Sequence, residues 1–235
     1  MNHSHVRALA FDVFGTVVDW RGSLIRELTA LNLDLDPAGF ADAWRGGYGP
    51  AMRRVASGDL PWTNIDTLHR LILDELLQRF AVTGLSEPAI DNLNRAWHRL
   101  TPWPDAVPGL TRLREHNVLA TLSNGNVALL TNMAINAGLP WDCILSAELV
   151  QRYKPDPAVY LMAAGYLGFT PAQVMMVAAH PADLRTAAAA GLATAFVGRP
   201  EEHGPGGPVE SGEEFDLHAT DFNDLAEQLA PPDPE

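Results

Sequence analysis

The sequence predicts an α/β protein in which a helical segment interrupts a parallel sheet after its first strand. Four short apolar segments have the length of a strand, and each is followed by a turn and a helical pattern. Nearly every residue in them is apolar, which is typical of parallel strands that helices cover on both faces. Residues 21–100, by contrast, contain amphipathic helical stretches and no convincing strand. The predicted strands are 6–11, 118–122, 174–179 and 193–197.

The helices that cover this sheet are predicted in the segments between its strands. The first and last of three helical patterns end in Gly-Leu, so Gly138 and Gly191 are expected to be C-cap residues. A further short strand is predicted at 143–148. The three helical patterns cover residues 126–139, 156–169 and 181–192.

The helical insert is predicted to form a cap. Its clearest helical stretches are 21–33 and 67–80, and the proline-rich segment 101–109 is interpreted as a linker back to the sheet. Ligands of open α/β sheets bind beyond the carboxyl ends of the strands, so the insert would cover that crevice. The predicted division is a core of residues 1–19 and 102–235 and a cap of residues 20–101.

The composition of the 235-residue chain is that of a globular protein, with 47% hydrophobic and 19% charged residues. No apolar run approaches the roughly 18 residues of a membrane span, and the apolar run near the N-terminus is interpreted as a strand rather than a signal peptide. The single cysteine, Cys143, excludes an intramolecular disulfide and a cysteine-cluster metal site, and it fits a cytoplasmic location. Segments 199–214 and 231–235 are interpreted as a surface loop and a frayed end.

The net charge of −13 restricts the expected partners. It disfavours nucleic acid and anionic membranes, because both repel a strongly acidic protein. It also offers no long-range attraction to a small anionic substrate. Such a substrate would therefore need local positive charge inside its binding site.

Asp12 follows the first predicted strand and is the first candidate catalytic residue. Gly15 permits a tight turn after it, and Thr16 is close enough in sequence to hydrogen-bond the carboxylate and fix it. One interpretation of an aspartate here is a residue that caps the turn and does nothing else. A carboxylate at this position is also able to attack an electrophile covalently, which splits one difficult substitution into two easier steps.

Polar residues follow the later strands in the same way. Ser123 and Asn124 come after the second strand, Lys154 after the short strand, and His180 and Asp183 after the next one. Each has an ordinary explanation: a turn, a surface lysine, the first turn of a helix, or a structural histidine. Because parallel strands end at one edge of a sheet, they are also placed to share a crevice. Lys154 beside the aspartate would keep that carboxylate ionised.

These motifs, in this order at the ends of successive strands, resemble those of the haloacid dehalogenase superfamily. Its members have a nucleophilic Asp, a Ser or Thr, a Lys and an acidic loop, which correspond here to Asp12, Ser123, Lys154 and Asp183. The resemblance covers essentially the whole chain. It implies a Rossmann-like parallel-sheet core of the haloacid dehalogenase type, with the helical cap inserted after the first strand.

Two departures distinguish this chain from the magnesium-dependent phosphatases that make up most of that superfamily. Phosphatases carry a second aspartate two residues after the nucleophile to protonate the leaving alcohol, and Phe14 stands there in this chain. A halide leaves as a stable anion and needs no proton. Phosphatases also usually place two acids four residues apart to hold magnesium; here Ala179 replaces the first and only Asp183 remains. We therefore expect no metal and no cofactor.

The sequence is similar to the type II group of L-2-haloacid dehalogenases in particular. That resemblance implies a reaction in which Asp12 displaces the halide of a short 2-haloalkanoic acid and water hydrolyses the resulting ester to a 2-hydroxy acid. It also implies a homodimer. The resemblance assigns Arg45 in the cap, Ser123, Asn124 and Tyr160 to the substrate and halide site, and the pattern Asp-x-aromatic-Gly-Thr matches Asp12, Phe14, Gly15 and Thr16.

The chain departs from this group in the loop after the third main strand. The group commonly has Ser-Ser-Asn-x-x-Asp, whereas this chain has Ala178 and His180 in place of a Ser and the Asn. Either His180 or the retained Asp183 is expected to activate water. Trp62 is placed near the pocket. A magnesium-dependent phosphatase-like hydrolase and a non-catalytic relative that binds small acids remain the alternatives.

Overall fold

The structure is a computed structural model that describes residues 5–206 and 212–230. The predicted frayed end, 231–235, and residues 207–211 of the predicted surface loop lie outside the described residues. The strands of the described part are β1 (Ala8–Phe11), β2 (Val18–Asp19), β3 (Thr101–Pro102), β4 (Val118–Ser123), β5 (Cys143–Ser146), β6 (Val174–Ala178), β7 (Ala193–Val197) and β8 (Leu217–Ala219).

Helices connect most strands of the main sheet, and four helices follow one another between β2 and β3. The helices are α1 (Trp20–Ala30), α2 (Pro37–Ala56), α3 (Ile65–Arg79), α4 (Glu87–Asn94), α5 (Ala106–Leu113), α6 (Val127–Ala137), α7 (Pro157–Leu167), α8 (Pro181–Ala189) and α9 (Phe222–Leu229). The α/β class, the parallel sheet and the helical insert are thereby confirmed.

The main sheet is parallel and has the strand order β5-β4-β1-β6-β7-β8. β1 lies in the middle and pairs with β4 on one side and β6 on the other. All four of its residues are fully buried, which accounts for the uninterrupted apolar sequence ALAF. The carboxyl ends of β1, β4 and β6 therefore lie side by side at one edge of the sheet, with Asp12 in the central position.

Helices α1 to α4 fill the insert. β2 and β3 form a two-stranded antiparallel ribbon in which Val18 faces Pro102 and Asp19 faces Thr101, so the ribbon lies where the insert leaves and rejoins the sheet. The predicted domain limits at residues 19–20 and 101–102 are compatible with this ribbon but stay a prediction.

Several local predictions need correction. Segment 101–109 is more than a linker, because it contains β3 and the start of α5 at Ala106. Proline is tolerated in the first turn of a helix, where its missing N–H is not needed, and Pro108 lies there. Gly138 caps α6 with a left-handed backbone as predicted, whereas α8 is capped by Ala190 and the left-handed Gly191 follows it. β8 and α9 were not predicted, because both are short.

Candidate active site

A cavity of about 230 Å³ lies at the carboxyl edge of the sheet, between the core strands and helix α2 of the insert. It gathers almost all the side chains that the sequence singled out. The lining residues are Asp12, Phe14, Arg45, Tyr48, Ser123, Asn124, Lys154, Pro155, Tyr160, His180, Ala182 and Asp183.

Asp12 is buried at this edge, and three polar groups surround its carboxylate. Oδ2 accepts hydrogen bonds from the Thr16 hydroxyl at 2.8 Å and from His180 Nδ1 at 3.0 Å. Oδ1 lies 3.6 Å from Lys154 Nζ. Burial alone would raise the pKa of Asp12, but Lys154, His180 and Thr16 together lower it well below its usual range. Asp12 is therefore a carboxylate at neutral pH.

Thr16 supports the Asp12 carboxylate from behind and does not line the cavity. Its hydroxyl donates to Asp12 and accepts a hydrogen bond at 3.0 Å from the backbone N–H of Ala179. Gly15 turns the chain between these residues with a left-handed φ of +86°. A Cβ at this position would lie 2.1 Å from a carboxylate oxygen of Glu202, so only glycine fits.

Lys154 connects Asp12 with the second buried acid, Asp183. Its ammonium lies 2.6 Å from Asp183 Oδ2, and the Tyr160 hydroxyl donates to Asp183 Oδ1 at 2.5 Å. Burial raises the pKa of Asp183, and the negative charge of Asp12 adds to that shift. Burial and the neighbouring Asp183 likewise raise the pKa of the Tyr160 hydroxyl. Both oxygens of Asp183 are thus engaged by the side chains that position it.

Ser123 and Asn124 face the cavity from the end of β4. The Ser123 hydroxyl accepts a hydrogen bond from the Gly125 backbone at 3.1 Å. The Asn124 carbonyl oxygen accepts one from the Lys154 backbone at 2.8 Å. Because the Asn124 carbonyl oxygen points at the Lys154 backbone, the Asn124 amide nitrogen points away from Lys154. This nitrogen lies 3.4 Å from the sulfur of Met52 in α2.

The insert contributes Arg45 and Tyr48, both from α2. The Arg45 guanidinium carbon lies 4.5 Å from the centre of the Tyr48 ring and 5.6 Å from the Trp20 ring. Cations are attracted to aromatic faces in this arrangement, so the two rings fix a positive charge at the cavity wall. Burial raises the pKa of Tyr48 to about 12. Tyr48 was not predicted, because a tyrosine on an amphipathic helix carries no signal of its own.

Residues 6–191 match the family model of haloacid dehalogenase-like hydrolases. The defluorinating L-2-haloacid dehalogenase Rha0230 has a similar structure, with a TM-score of 0.91, 45% sequence identity and 95% of each chain covered. The L-2-haloacid dehalogenase PA0810 also has a TM-score of 0.91, with 48% identity over 96% of this chain and all of that one (100%). The chain belongs to the haloacid dehalogenase-like hydrolases, in the L-2-haloacid dehalogenase group.

A curated relative is similar over a shorter stretch. The (S)-2-haloacid dehalogenase of Xanthobacter autotrophicus is 35% identical over 115 residues, which is 48% of this chain and 45% of that enzyme. The chain thus aligns with less than half of this relative's length, whereas the two dehalogenase structures are matched along nearly all of theirs.

A pair of residues beside Asp12 distinguishes this chain from the pattern expected of its group. His180 Nε2 lies 3.0 and 3.1 Å from the two carboxylate oxygens of Glu202. Glu202 is only 5% exposed, and the Trp20 indole N–H donates to it at 3.1 Å. Burial raises the pKa of Glu202, but the contacts with His180 and Trp20 outweigh it and leave that pKa below its ordinary value.

The same contacts determine the charge of His180. Burial lowers the pKa of the imidazole, yet its hydrogen bonds to Asp12 and Glu202 outweigh burial and raise it to about 10. His180 is therefore an imidazolium in the resting site, with one N–H directed at each carboxylate. Glu202 carries no signal in the sequence, because it belongs to segment 199–214, whose composition is that of a surface loop.

Trp62 is the one predicted pocket residue that the structure places elsewhere. It does not line the cavity at Asp12 and packs on Tyr153 with ring centres 4.8 Å apart. The Tyr153 hydroxyl donates to the backbone carbonyl of Thr63, beside Trp62. Trp62 and Tyr153 both line a neighbouring cavity of about 720 Å³, between α2 and the segment before α7.

Two general expectations concern metals and membranes. In residues 5–206 and 212–230, no three His, Cys, Asp or Glu side chains are grouped so that they could share a metal ion. Among the helices of that same part of the chain, none has the length and apolar character that a membrane span requires.

Proposed function

We propose that this protein hydrolyses short 2-haloalkanoic acids to 2-hydroxy acids through an ester on Asp12. The observation that carries the proposal is the state of that carboxylate. It is buried and ionised, it faces a small cavity, and Phe14 stands two residues later where a proton donor for an alcohol would be needed. This arrangement suits a leaving group that departs as a stable anion.

The positive groups of the cavity account for an anionic substrate. Arg45 and Lys154 line it, and Ser123 and Asn124 add hydroxyl and amide groups. In a chain of net charge −13, these groups provide the local positive potential that a haloacid carboxylate and a departing halide need. The proposal assigns the halide to the Arg45 guanidinium, and its position 4.5 Å from the centre of the Tyr48 ring supports this assignment.

In the first step, Oδ1 of Asp12 attacks the carbon that carries the halogen. Oδ2 already accepts two hydrogen bonds, from Thr16 and His180, whereas Oδ1 lies 3.6 Å from Lys154 Nζ. A carbon–oxygen bond forms while the carbon–halogen bond breaks, and the halide leaves with the bonding electrons. The product is a neutral ester of Asp12.

In the second step, water attacks the carboxyl carbon of that ester, with His180 as the base. Ester formation removes the negative charge of Asp12, so the pKa of His180 falls and the imidazolium releases its proton to solvent. Neutral His180 then takes a proton from the attacking water. Collapse of the adduct expels the product alkoxide, which takes that proton from His180.

The remaining acid proton on Asp12 passes to His180 and restores the resting pair. One proton and one halide are thus released per turnover. Asp183 is less suited to be the base, because Lys154 and Tyr160 occupy both its oxygens.

The proposal requires no metal ion. Lys154 Nζ lies 3.6 and 2.6 Å from the nearest oxygens of Asp12 and Asp183, so its ammonium offsets the negative charge of the two acids. Ala179, at the position of the first phosphatase acid, contributes only a backbone N–H, which donates to Thr16.

We also propose that fluoroacetate is among the substrates. Rha0230, which shares 45% of its sequence with this chain, is described as defluorinating. The cavity of about 230 Å³ suits an acid of two or three carbons. A fixed guanidinium is the group expected to stabilise the small, strongly hydrated fluoride as it leaves.

Halide release tests the proposal. The purified protein is incubated in EDTA with chloroacetate, bromoacetate, fluoroacetate and 2-chloropropionate, and Asp12→Asn serves as the folded, inactive control. Release of halide and hydroxy acid by the wild type alone is expected. Magnesium-dependent release of phosphate from phosphate esters would favour the phosphatase-like alternative. Binding of a haloacid without turnover would favour the non-catalytic relative.

A homodimeric state and a cytoplasmic location complete the proposal. Leu161 and Tyr166 of α7 are large apolar side chains that are 48% and 64% exposed, which gives a surface on which a second copy would pack. The single free cysteine, Cys143, suits a reducing compartment. Light scattering of the purified chain tests the dimer, and fractionation of cells tests the location.

A further inference from the structure

A buried ion pair lies behind the site and outside its cavity. Arg199 follows β7 and is paired with Asp105, which precedes α5. Arg199 Nη1 and Nη2 each lie 2.8 Å from one oxygen of the Asp105 carboxylate. Only 6% of the Arg199 side chain and 12% of the Asp105 side chain are exposed. We call these two residues the anchor pair.

The geometry of the anchor pair leaves it little freedom. A bidentate guanidinium–carboxylate contact is directional, and a buried ion pair resists the loss of either partner. The Asp105 carboxylate also accepts the backbone N–H of Phe222 at 2.9 Å, and the Arg199 guanidinium carbon lies 4.6 Å from the Phe222 ring centre. The pair is thereby fixed to the start of α9 as well.

The third nitrogen of the guanidinium reaches the support of the nucleophile. Arg199 Nε donates at 2.8 Å to the backbone carbonyl of Thr16, the residue whose hydroxyl holds Asp12. The backbone carbonyl of Arg199 accepts the N–H of Glu202 at 3.2 Å. Arg199 therefore connects the turn that supports Asp12, through its side chain, with the segment that carries Glu202, through its backbone carbonyl.

The two ends of this connection are supported unequally. The turn at Gly15 has further hydrogen bonds, from the Trp103 indole to the Gly15 carbonyl and from the Gly15 N–H to Val18. Glu202 lies on a connection without regular secondary structure, so its place depends more strongly on Arg199. Loss of the anchor pair is expected to displace Glu202 before it displaces Asp12.

We propose that Arg199 and Asp105 are positioning residues for ester hydrolysis, acting by holding Glu202 and therefore His180 in place. The inference rests on the proposed dehalogenation. The anchor pair is expected to affect only the second of the two proposed steps. Formation of the ester uses Asp12, Lys154 and Arg45, whereas hydrolysis of the ester uses His180. Neither residue of the anchor pair lines the cavity, so neither is expected to affect substrate binding.

Arg199→Lys and Asp105→Asn test this role, with chloroacetate as substrate. In both variants kcat is expected to fall at least about tenfold while KM stays equal or falls, because hydrolysis becomes the slow step. The Asp12 ester should then accumulate and be detected by mass spectrometry of protein quenched during turnover. Glu202→Gln is the positive control. Arg114→Lys, in the exposed pair with Asp142 on the same core, is the matched control that leaves activity unchanged.

A second measurement is independent of turnover. The pKa of His180, followed by NMR of its ring protons, is expected to fall in Arg199→Lys and Asp105→Asn toward its value in Glu202→Gln. Folded variants with wild-type His180 titration and no accumulated ester would overturn the inference. Failure of both variants to fold would also overturn it, since the pair would then support the fold as a whole. If the wild type itself releases no halide, the proposed function fails instead, and the NMR titration still decides on the anchor pair.

Discussion

Glu202 holds His180 Nε2 at 3.0 Å, while the other ring nitrogen of His180 contacts Asp12 at the same distance. The imidazole is therefore unable to rotate without breaking a charged hydrogen bond. In the proposed reaction Asp12 becomes a neutral ester, and Glu202 then remains as the charged partner that keeps the ring in place. His180 Nδ1, at 3.0 Å from Asp12 Oδ2, thereby stays next to the carboxyl group that water attacks in the proposed second step.

Glu202→Gln is expected to lower kcat for chloroacetate about 10²-fold. General acid–base catalysis typically accelerates a reaction by about 10² to 10⁴-fold, and a misplaced His180 loses part of that acceleration. The first halide should still be released at nearly the wild-type rate, because Asp12, Lys154 and Arg45 are unchanged. Rapid-quench measurement of halide and hydroxy acid distinguishes the two steps. Glu201→Gln, an exposed neighbour, is the matched control. Equal loss of both steps would show that Glu202 acts on the whole site.

The proton released in the first turnover is a second prediction. The pKa of resting His180 is raised to about 10, so at about pH 9 the ring begins as an imidazolium and loses its proton once Asp12 is esterified. Stopped-flow mixing with a pH-indicator dye should therefore show about one proton per site together with the first halide, before any hydroxy acid forms. His180→Asn should show the halide without the early proton. A proton that appears only with hydroxy acid would contradict this sequence of events.

The charge of His180 also predicts how stability depends on pH. Its folded pKa of about 10 lies above the ordinary value of 6.5, so the protonated ring stabilises the folded state fully below about pH 6.5, and this contribution is lost as the pH rises through 10. The difference in free energy of unfolding between wild type and His180→Gln should shrink across that window. Urea unfolding at several pH values measures it, with the same substitution at exposed His116 as the control. A difference that stays constant with pH would show that His180 is not charged in the folded protein.

The sequence was sufficient to predict the parts of this protein that depend on local pattern. Apolar runs identified β1, β4, β6 and β7 to within about two residues, because strands buried on both faces have no polar positions. Since parallel strands end at one edge, the polar residues after them had to meet there. Asp12, Asn124 and Asp183 all line one cavity as that reasoning requires.

What the sequence did not predict depends on contacts between distant segments. Glu202 stands in a segment rich in glycine and proline that resembles any exposed loop. It is buried because Gly15 has no side chain at that point and because the Trp20 indole offers a hydrogen bond. Trp62 was misplaced for a similar reason: its partner, Tyr153, lies 91 positions away, and no local pattern relates the two rings.

Arg45→Lys tests whether the shape of the cation in the insert matters as well as its charge. The planar guanidinium lies over Tyr48 at 4.5 Å, and a lysine ammonium has neither that plane nor the same fork of donors. Loss of this arrangement is expected to lower kcat/KM for chloroacetate roughly tenfold, which corresponds to the 1–2 kcal/mol of a desolvated cation–π contact. Arg53→Lys, an exposed arginine two turns later in α2, is the matched control. Both variants are assayed with chloroacetate and bromoacetate, because a cation that receives the halide should affect the two substrates unequally. An equal effect on both would assign Arg45 to the carboxylate of the substrate instead.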